Sequence, residues 1–416
     1  MLGQLPSYRQ RPPRSAIVVG AGVVGVATAW SFARRGVAVT LIDISSGPGE
    51  GASFANGGQL SYVYTDALAS PWLLRKLPGI LLARDPGLSL NLGFDPGMVH
   101  WLLDFLRNAT TSRHLVNTLN GLALGLESRV AMHDLLAQHH LDFSHRVAGK
   151  LLVYGDQDAF DTAARLAEIK QQHGAVQEIL GPAEAIALEP VLGSRSEPMA
   201  GAIYAPQEEL GDPYRFCRGM VDLLTSTYGV TARFQTRVRS WEDKAGSVTV
   251  LTNSGERLAA DALVICAGIA SGKVLNRAGL TRALLPMKGY SFTAPQGQMP
   301  LTRSITDMAR KIVFCPLNGM VRVAGLAELG TYDTKIEPAR IAHLKLLAAQ
   351  SLVDAADYSS AGQEWAGIRP MTANSQPIIR RVAPGVAINA GHGMLGWTYA
   401  MGAAERVARL FGKECA

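Results

Sequence analysis

The chain has 416 residues, of which 48% are hydrophobic and 18% charged. Such a chain can bury a large core over two or three domains, and its composition excludes low-complexity and disulfide-scaffold proteins. Its formal charge of +6 is scattered in short pairs such as Arg34–Arg35 and Arg75–Lys76, with no arginine-rich or aromatic-interleaved run, so no nucleic acid is expected as a partner. The four cysteines (Cys217, Cys266, Cys315, Cys415) form no C-x-x-C pair and the histidines no H-x-x-x-H pair. No metal site is expected, and a reducing, cytoplasmic compartment is.

Met1–Arg14 is polar, basic and proline-containing and reads as a loose leader without the apolar core of a signal peptide. Ala16–Asp43 then reads as a strand, a glycine turn, a helix and a second strand ending on an acid. Gly20, Gly22 and Gly25 form G-x-G-x-x-G, enclosing Ala21, Val23 and Val24. The first glycine allows the tight turn, the second lets a pyrophosphate approach the backbone, and the third lets helix and strand lie close. The helix N-terminus faces the phosphates with its positive dipole end. Asp43, 23 residues past Gly20, is placed to accept hydrogen bonds from ribose hydroxyls and disfavours a 2′-phosphate. One such motif among 43 glycines is weak; its strand–helix–acid context makes it specific.

The loop Ile44–Ser61 is rich in small residues, which suggests close backbone approach to a bulky group. Pro71–Gly87, apolar with basic punctuation and a tryptophan, suits either a membrane interface or an amphipathic cover on the core. No run reaches transmembrane length. Gly97–His140 is expected to be helical, Lys150–Tyr154 a strand, Asp158–Gln172 and Pro182–Leu188 helices, Ala200–Ala205 a strand and Pro213–Tyr228 a helix. Val230–Thr236 and Ser247–Leu251 read as a hairpin-like unit, and Ala259–Gly268 as one buried parallel strand. Strands follow between Arg282 and Glu328, then a helix over Ile341–Val353.

The chain ends on a second strand–glycine loop–helix unit: Gly385–Asn389, then Gly391 to Gly396, then a helix from Trp397 to Phe411. A nicotinamide enzyme gives no reason for this unit. FAD does, because a helix N-terminus near its pyrimidine edge stabilises the negative charge that appears on reduction.

With these motifs assembled, the sequence resembles the FAD-dependent D-amino acid dehydrogenase family (small-subunit type) of the glycine oxidase–sarcosine oxidase, or DAO, group. The resemblance runs from about Ala16 to Leu410. It is carried by GAGVVGVATAW, SFANGGQLS at Ser53–Ser61, EELGDP at Glu208–Pro213, ADALVICAG, LPMKGYS at Leu285–Ser291, WAGIRPMT at Trp365–Thr372 and GHGMLGWT at Gly391–Thr398. The class it implies is α/β: a Rossmann-like FAD-binding domain built from discontinuous segments (15–146, 211–280, 366–416) and an α+β, mixed-sheet substrate domain (147–210, 281–365).

The resemblance also implies site residues. Gly20–Gly25 would wrap the FAD pyrophosphate and Asp43 and Ile44 the adenosine end. Asn56, Gly57, Gly58, Gln59 and Leu60 would pass close to the flavin, with Val238, Ala267 and Gly268 completing the contact. Gly391, His392, Gly393, Met394, Leu395, Gly396, Trp397 and Thr398 would cap the pyrimidine end. Arg369 would hold a substrate carboxylate, which a guanidinium matches bidentately. Tyr290 is the first candidate to assist it and Tyr64 the second.

The implied reaction is oxidation of a D-amino acid at Cα by hydride transfer, then hydrolysis to a 2-oxo acid and ammonia, with electrons passed to a quinone. Positioning would do most of the work, without an obligatory protein base. Implied too are a cytoplasmic location, peripheral on the inner face of the membrane, and room for hetero-oligomeric partners. A cyclic D-imino acid such as cis-4-hydroxy-D-proline, or an electron-relay role in a larger complex, are the rival readings. Met394 and the MTANSQPIIRRV loop depart from the family's usual pattern, which bears on the substrate side chain.

Overall fold

In the computed structural model, residues 12–74, 87–90, 96–244 and 246–412 are described. Most of the expected leader, Cys415 and the 75–86 part of the interfacial candidate lie outside them.

Two sheets organise the chain. The first has six strands in the order Thr231–Arg233, Ala38–Ile42, Ser15–Val19, Ala262–Ile265, Val386–Ala390, Ile378–Ala383. The first five are parallel and the last is antiparallel. Ala262–Ile265 and Val386–Ala390 are buried along their whole length, as a sheet covered on both faces requires. The helices Val23–Ala33, Thr111–Gln138, Pro213–Tyr228 and Gly396–Arg409 cover one face, around a core holding Trp30, Phe216 and Met401. A three-stranded antiparallel sheet (Val238–Lys244, Ser247–Thr252, Arg257–Ala260) covers the other.

The second sheet has nine strands and mixed direction. Its order is Gly362–Met371, Leu285–Pro295, Met320–Leu329, Ile312–Leu317, Ser304–Asp307, Lys150–Tyr154, Gly201–Ala205, Glu178–Leu180, with Leu88–Leu90 beside Met320–Leu329. The helix Pro338–Ser351 packs on one face around Phe292, Phe314 and Leu344. The other face turns toward the first sheet.

Several expectations change. Gly97–His140 is two helices, Pro96–Asn108 and Thr111–Gln138, because Thr110 Oγ1 caps the second by accepting from Arg113 N–H. Ala259–Gly268 is split at Asp261, whose N–H donates to Ser15 Oγ, into an antiparallel and a parallel strand. Thr231–Arg233 joins the parallel sheet, and the hairpin pairs Val238–Lys244 with Ser247–Thr252. The expected boundary at 366 falls inside the strand Gly362–Met371, which pairs with Leu285–Thr293 with one register shift between Ser291 and Thr293.

Candidate functional site

One cavity of about 1780 Å³ runs between the two sheets, from the Gly20 turn to Arg369. That exceeds the few hundred to roughly 1,000 Å³ of an ordinary small-molecule site and suits a dinucleotide with room beside it.

The glycine turn forms one end. Gly20 has φ +108°, and a Cβ on Gly25 would stand 1.6 Å from Gly20 O, so strand and helix touch where both residues lack side chains. Gly22, at the helix N-cap, supplies no side-chain cap, and Ser53 Oγ accepts from Val23 N–H at 3.2 Å. Asp43 accepts from Ala21 N–H (2.6 Å) through Oδ2 and from Ser45 N–H (2.7 Å) through Oδ1. It therefore staples the turn to the end of the second strand, with lone pairs left on the cavity wall.

Most of the expected cofactor residues line this cavity: Gly20, Gly22, Val23 and Val24; Asp43 and Ile44; Asn56–Gln59; Val238, Ala267 and Gly268; and Gly391–Trp397. Four stand behind the wall instead. Ala21 and Gly25 hold the turn, Leu60 joins the core, and Thr398 Oγ1 accepts from Ser61 N–H at 2.9 Å. The 56–59 segment is pressed onto the mixed sheet: a Cβ on Gly57 would be 2.9 Å from Val313 Cγ2.

At Gly391–Gly396 the helix Gly396–Arg409 begins, again without a side-chain cap. His392 is 5% exposed, and burial pulls it down to about 3, so it is neutral. Its Nε2 has no partner among the described residues, as does Asn389 Oδ1 beside it on the cavity wall. A glycine cradle at one end, uncapped helix N-termini at both, and orphaned polar atoms on the wall fit a long dinucleotide such as FAD.

Arg369 reaches this wall from the strand Gly362–Met371. Its guanidinium lies over Gly289, where a Cβ would come within 2.3 Å of Nη2. Its one hydrogen bond among the described residues is from Nη1 to Leu326 O at 3.5 Å, and no acid pairs with it. Burial pulls it down to about 10, so it stays charged at neutral pH. A charged, half-buried guanidinium with no counter-ion among the described residues is ready for an anion.

Tyr290 lines the same cavity, but no hydrogen bond joins it to Arg369 among the described residues. Arg369 pairs with Met287 across the strands, whereas Tyr290 pairs with Ala366 and Gly325. Residues 287 and 290 differ by an odd number, so their side chains leave opposite faces of the sheet. Tyr290 also packs in the core under Pro338–Ser351 and donates to Glu328 Oε2 at 3.2 Å. Tyr290→Phe is expected to cost about 1 kcal/mol of stability and to leave kcat/KM within about twofold. A hundredfold kinetic loss would give the Tyr290 hydroxyl a part in substrate binding.

Tyr64 does line the cavity. Burial raises its phenol, and its Oη donates to Met308 Sδ at 3.5 Å. Beside it is a residue the sequence did not single out, Lys150, buried at 2% exposure. Lys150 Nζ donates to Gln59 Oε1 (2.8 Å) and Ser61 Oγ (2.7 Å) and lies 4.4 Å from the Tyr64 ring centroid. Burial pulls its pKa down to about 8 and pushes neighbouring Glu208 up to about 7. The available signal was a lysine heading the otherwise apolar strand KLLVY.

The EELGDP motif is explained by the same region. Glu208 accepts from Val63 N–H, Glu209 from His133, His145 and Tyr62, and Asp212 caps Pro213–Tyr228 through Tyr214 and Arg215 N–H.

Comparison with known proteins agrees with this geometry. The profile of the DAO family, "FAD dependent oxidoreductase", matches residues 15–410. The chain is 38% identical to D-amino acid dehydrogenase 2 of Ralstonia nicotianae, covering 95% of this chain and 96% of that one. It is 36% identical to D-amino acid dehydrogenase of Phenylobacterium zucineum, with 96% and 94% covered. Among solved structures it resembles glycine oxidase from Geobacillus kaustophilus (TM-score 0.71, 21% identity, 97% and 96% covered). It also resembles L-proline dehydrogenase from P. horikoshii (TM-score 0.73, 19% identity, 96% and 94% covered). These two likenesses bear on the fold alone.

Proposed function

Because the chain belongs to the FAD-dependent oxidoreductase (DAO) family, we propose that it oxidatively deaminates D-amino acids. The observation that carries this reading is Arg369: a charged guanidinium without a counter-ion among the described residues, in the wall of the cavity that ends in the dinucleotide cradle. FAD, when bound, supplies a two-electron acceptor for the hydride at Cα. Gly20–Val24 and Asp43 would hold its adenine half and Gly391–Gly396 its pyrimidine edge. Arg369 binds the substrate carboxylate and so sets where Cα lies. Met287, Leu326 and Trp365 give the adjoining wall an apolar character that suits an uncharged side chain. Water hydrolyses the imino acid to a 2-oxo acid and ammonia. The testing experiment is anaerobic addition of a panel of D-amino acids to the purified flavoprotein. Loss of the yellow absorbance with D- but not L-enantiomers is expected, and no loss with any of them would overturn the reading.

The proposal extends to a quinone as electron acceptor and to a peripheral place on the membrane. No helix among the described residues is long and apolar enough to cross a bilayer. The helix Pro96–Asn108 supports surface docking: Met98, Trp101 and Phe105 are buried, while Val99, Leu103 and Leu106 are exposed at helical spacing, as is Trp72. Val99→Asp with Leu103→Asp is expected to reduce co-flotation with anionic lipid vesicles at least fivefold while leaving flavin reduction by the D-amino acid unchanged. Equal flotation of variant and parent would remove this part of the reading.

A further inference from the structure

Two large side chains of the strand Gly362–Met371 lie down on a pair of glycines. Gly289 and Gly367 stand directly opposite one another on neighbouring antiparallel strands. A Cβ on Gly289 would be 2.3 Å from Arg369 Nη2 and 2.5 Å from its Cζ. A Cβ on Gly367 would be 2.1 Å from Trp365 Cη2 and 2.2 Å from its Cζ2. These separations are far inside van der Waals contact, so the guanidinium and the indole fill the space that two side chains would take. Trp365, Gly367 and Arg369 alternate along the strand, so they share one face of it, and all three line the cavity. We propose that Trp365, seated on Gly367, sets the largest side chain that the D-amino acid can carry.

The spacing suits that role. Cβ positions of directly opposed residues in an antiparallel pair are about 4.5–5.5 Å apart. With one group over each glycine, Arg369 Cζ and Trp365 Cη2 are therefore no more than about 10 Å apart. A carboxylate held by both prongs of the guanidinium has its carbon about 4 Å from Cζ, and Cα lies about 1.5 Å beyond. What is left between Cα and the indole is about one van der Waals contact, ~4 Å. A substituent on Cα that points along the strand meets the indole. The Arg369 charge repels the substrate ammonium from this end, which leaves it to the side chain.

The other apolar groups of this wall are committed elsewhere. Met287 is locked into the core with Leu73, Trp101 and Met371, and Leu326 into the core around Phe292 and Leu344. Trp365 belongs to neither core and is half-buried.

The inference rests on the D-amino acid reading, and the experiment separates the two. kcat/KM for D-alanine, D-leucine and D-phenylalanine is measured by anaerobic flavin reduction for the parent, Trp365→Ala, Gly367→Ala and Gly289→Ala. Trp365→Ala removes the wall, so the D-phenylalanine to D-alanine ratio of kcat/KM should rise at least about tenfold. Gly367→Ala lifts the indole off the sheet into the cavity, so the same ratio should fall at least about tenfold. Shifts of opposite sign are not produced by general damage to the fold. Gly289→Ala displaces the guanidinium instead, so it should lower all three substrates by a similar factor and keep the ratio within about threefold. Flavin content and Tm accompany each variant, and Trp365→Ala decides alone where Gly367→Ala does not fold. An unchanged ratio in Trp365→Ala overturns the inference while deamination stands. So does an equal loss for all three substrates, which would put the indole against the amino group they share. Failure of the whole D-amino acid panel with the parent overturns both.

Discussion

Arg369→Ala is expected to lower kcat/KM for the D-amino acid by about 3 kcal/mol or more, roughly 150-fold. The substitution leaves a substrate carboxylate buried beside Leu326 O and apolar wall with nothing to neutralise it. It removes the anchor that sets Cα, so kcat should fall as well as KM rise. Arg369→Lys keeps the charge but loses the two-pronged fork, and an intermediate loss is expected. The fold should survive, because among the described residues Arg369 has no ion pair and a single long hydrogen bond. Two measurements check this: anaerobic flavin reduction at varied substrate, and the Kd of a simple carboxylate that perturbs the flavin spectrum. The carboxylate should weaken in step with kcat/KM and show the same loss at pH 7.5 and pH 10. That pH independence separates a carboxylate anchor from a group that titrates in this range. A variant with parental kcat/KM would end the assignment of Arg369.

The ends of the cavity were legible in the sequence and its middle was not, for a physical reason. Gly20–Gly25 and Gly391–Gly396 are local: strand, turn and helix are contiguous, and the residues that shape each turn lie within a few positions of one another. Arg369 was legible because its neighbours Gly367 and Pro370 sit in a recognisable motif. How Tyr290 stands relative to Arg369 was not legible, because motif adjacency says nothing about sheet face. It stands one residue after Gly289, over which the guanidinium lies, and one residue in a strand reverses the side. Lys150 was missed because its partners Gln59, Ser61 and Glu208 are 91, 89 and 58 positions away, and only the folded sheet brings them together. The split at Asp261 had the same origin, since the N–H that ends one strand is satisfied by Ser15, 246 residues earlier.

Gly25→Ala is the second substitution expected to have a large effect, and it tests whether close helix–strand approach builds the cradle. The added Cβ would lie 1.6 Å from Gly20 O and 2.6 Å from Gly20 C. Both are backbone atoms, so no rotamer change relieves the clash, and the helix Val23–Ala33 must lift off the strand Ser15–Val19. That helix is buried at Val26, Ala27, Ala29 and Trp30, so lifting it opens the core as well as the turn. A loss of about 3 kcal/mol is expected, seen as a Tm lowered by roughly 5 °C or more. Flavin content should fall below about one tenth of the parent's even after incubation with excess FAD. Gly36→Ala separates this from the intrinsic cost of replacing glycine. Gly36 has φ +78°, but a Cβ there meets nothing within 4 Å. It should cost about 1 kcal/mol of backbone strain and leave flavin content unchanged. If Gly25→Ala bound FAD as fully as Gly36→Ala, the pyrophosphate would not depend on the close approach at Gly20, and the cradle would have to be sought elsewhere along the cavity.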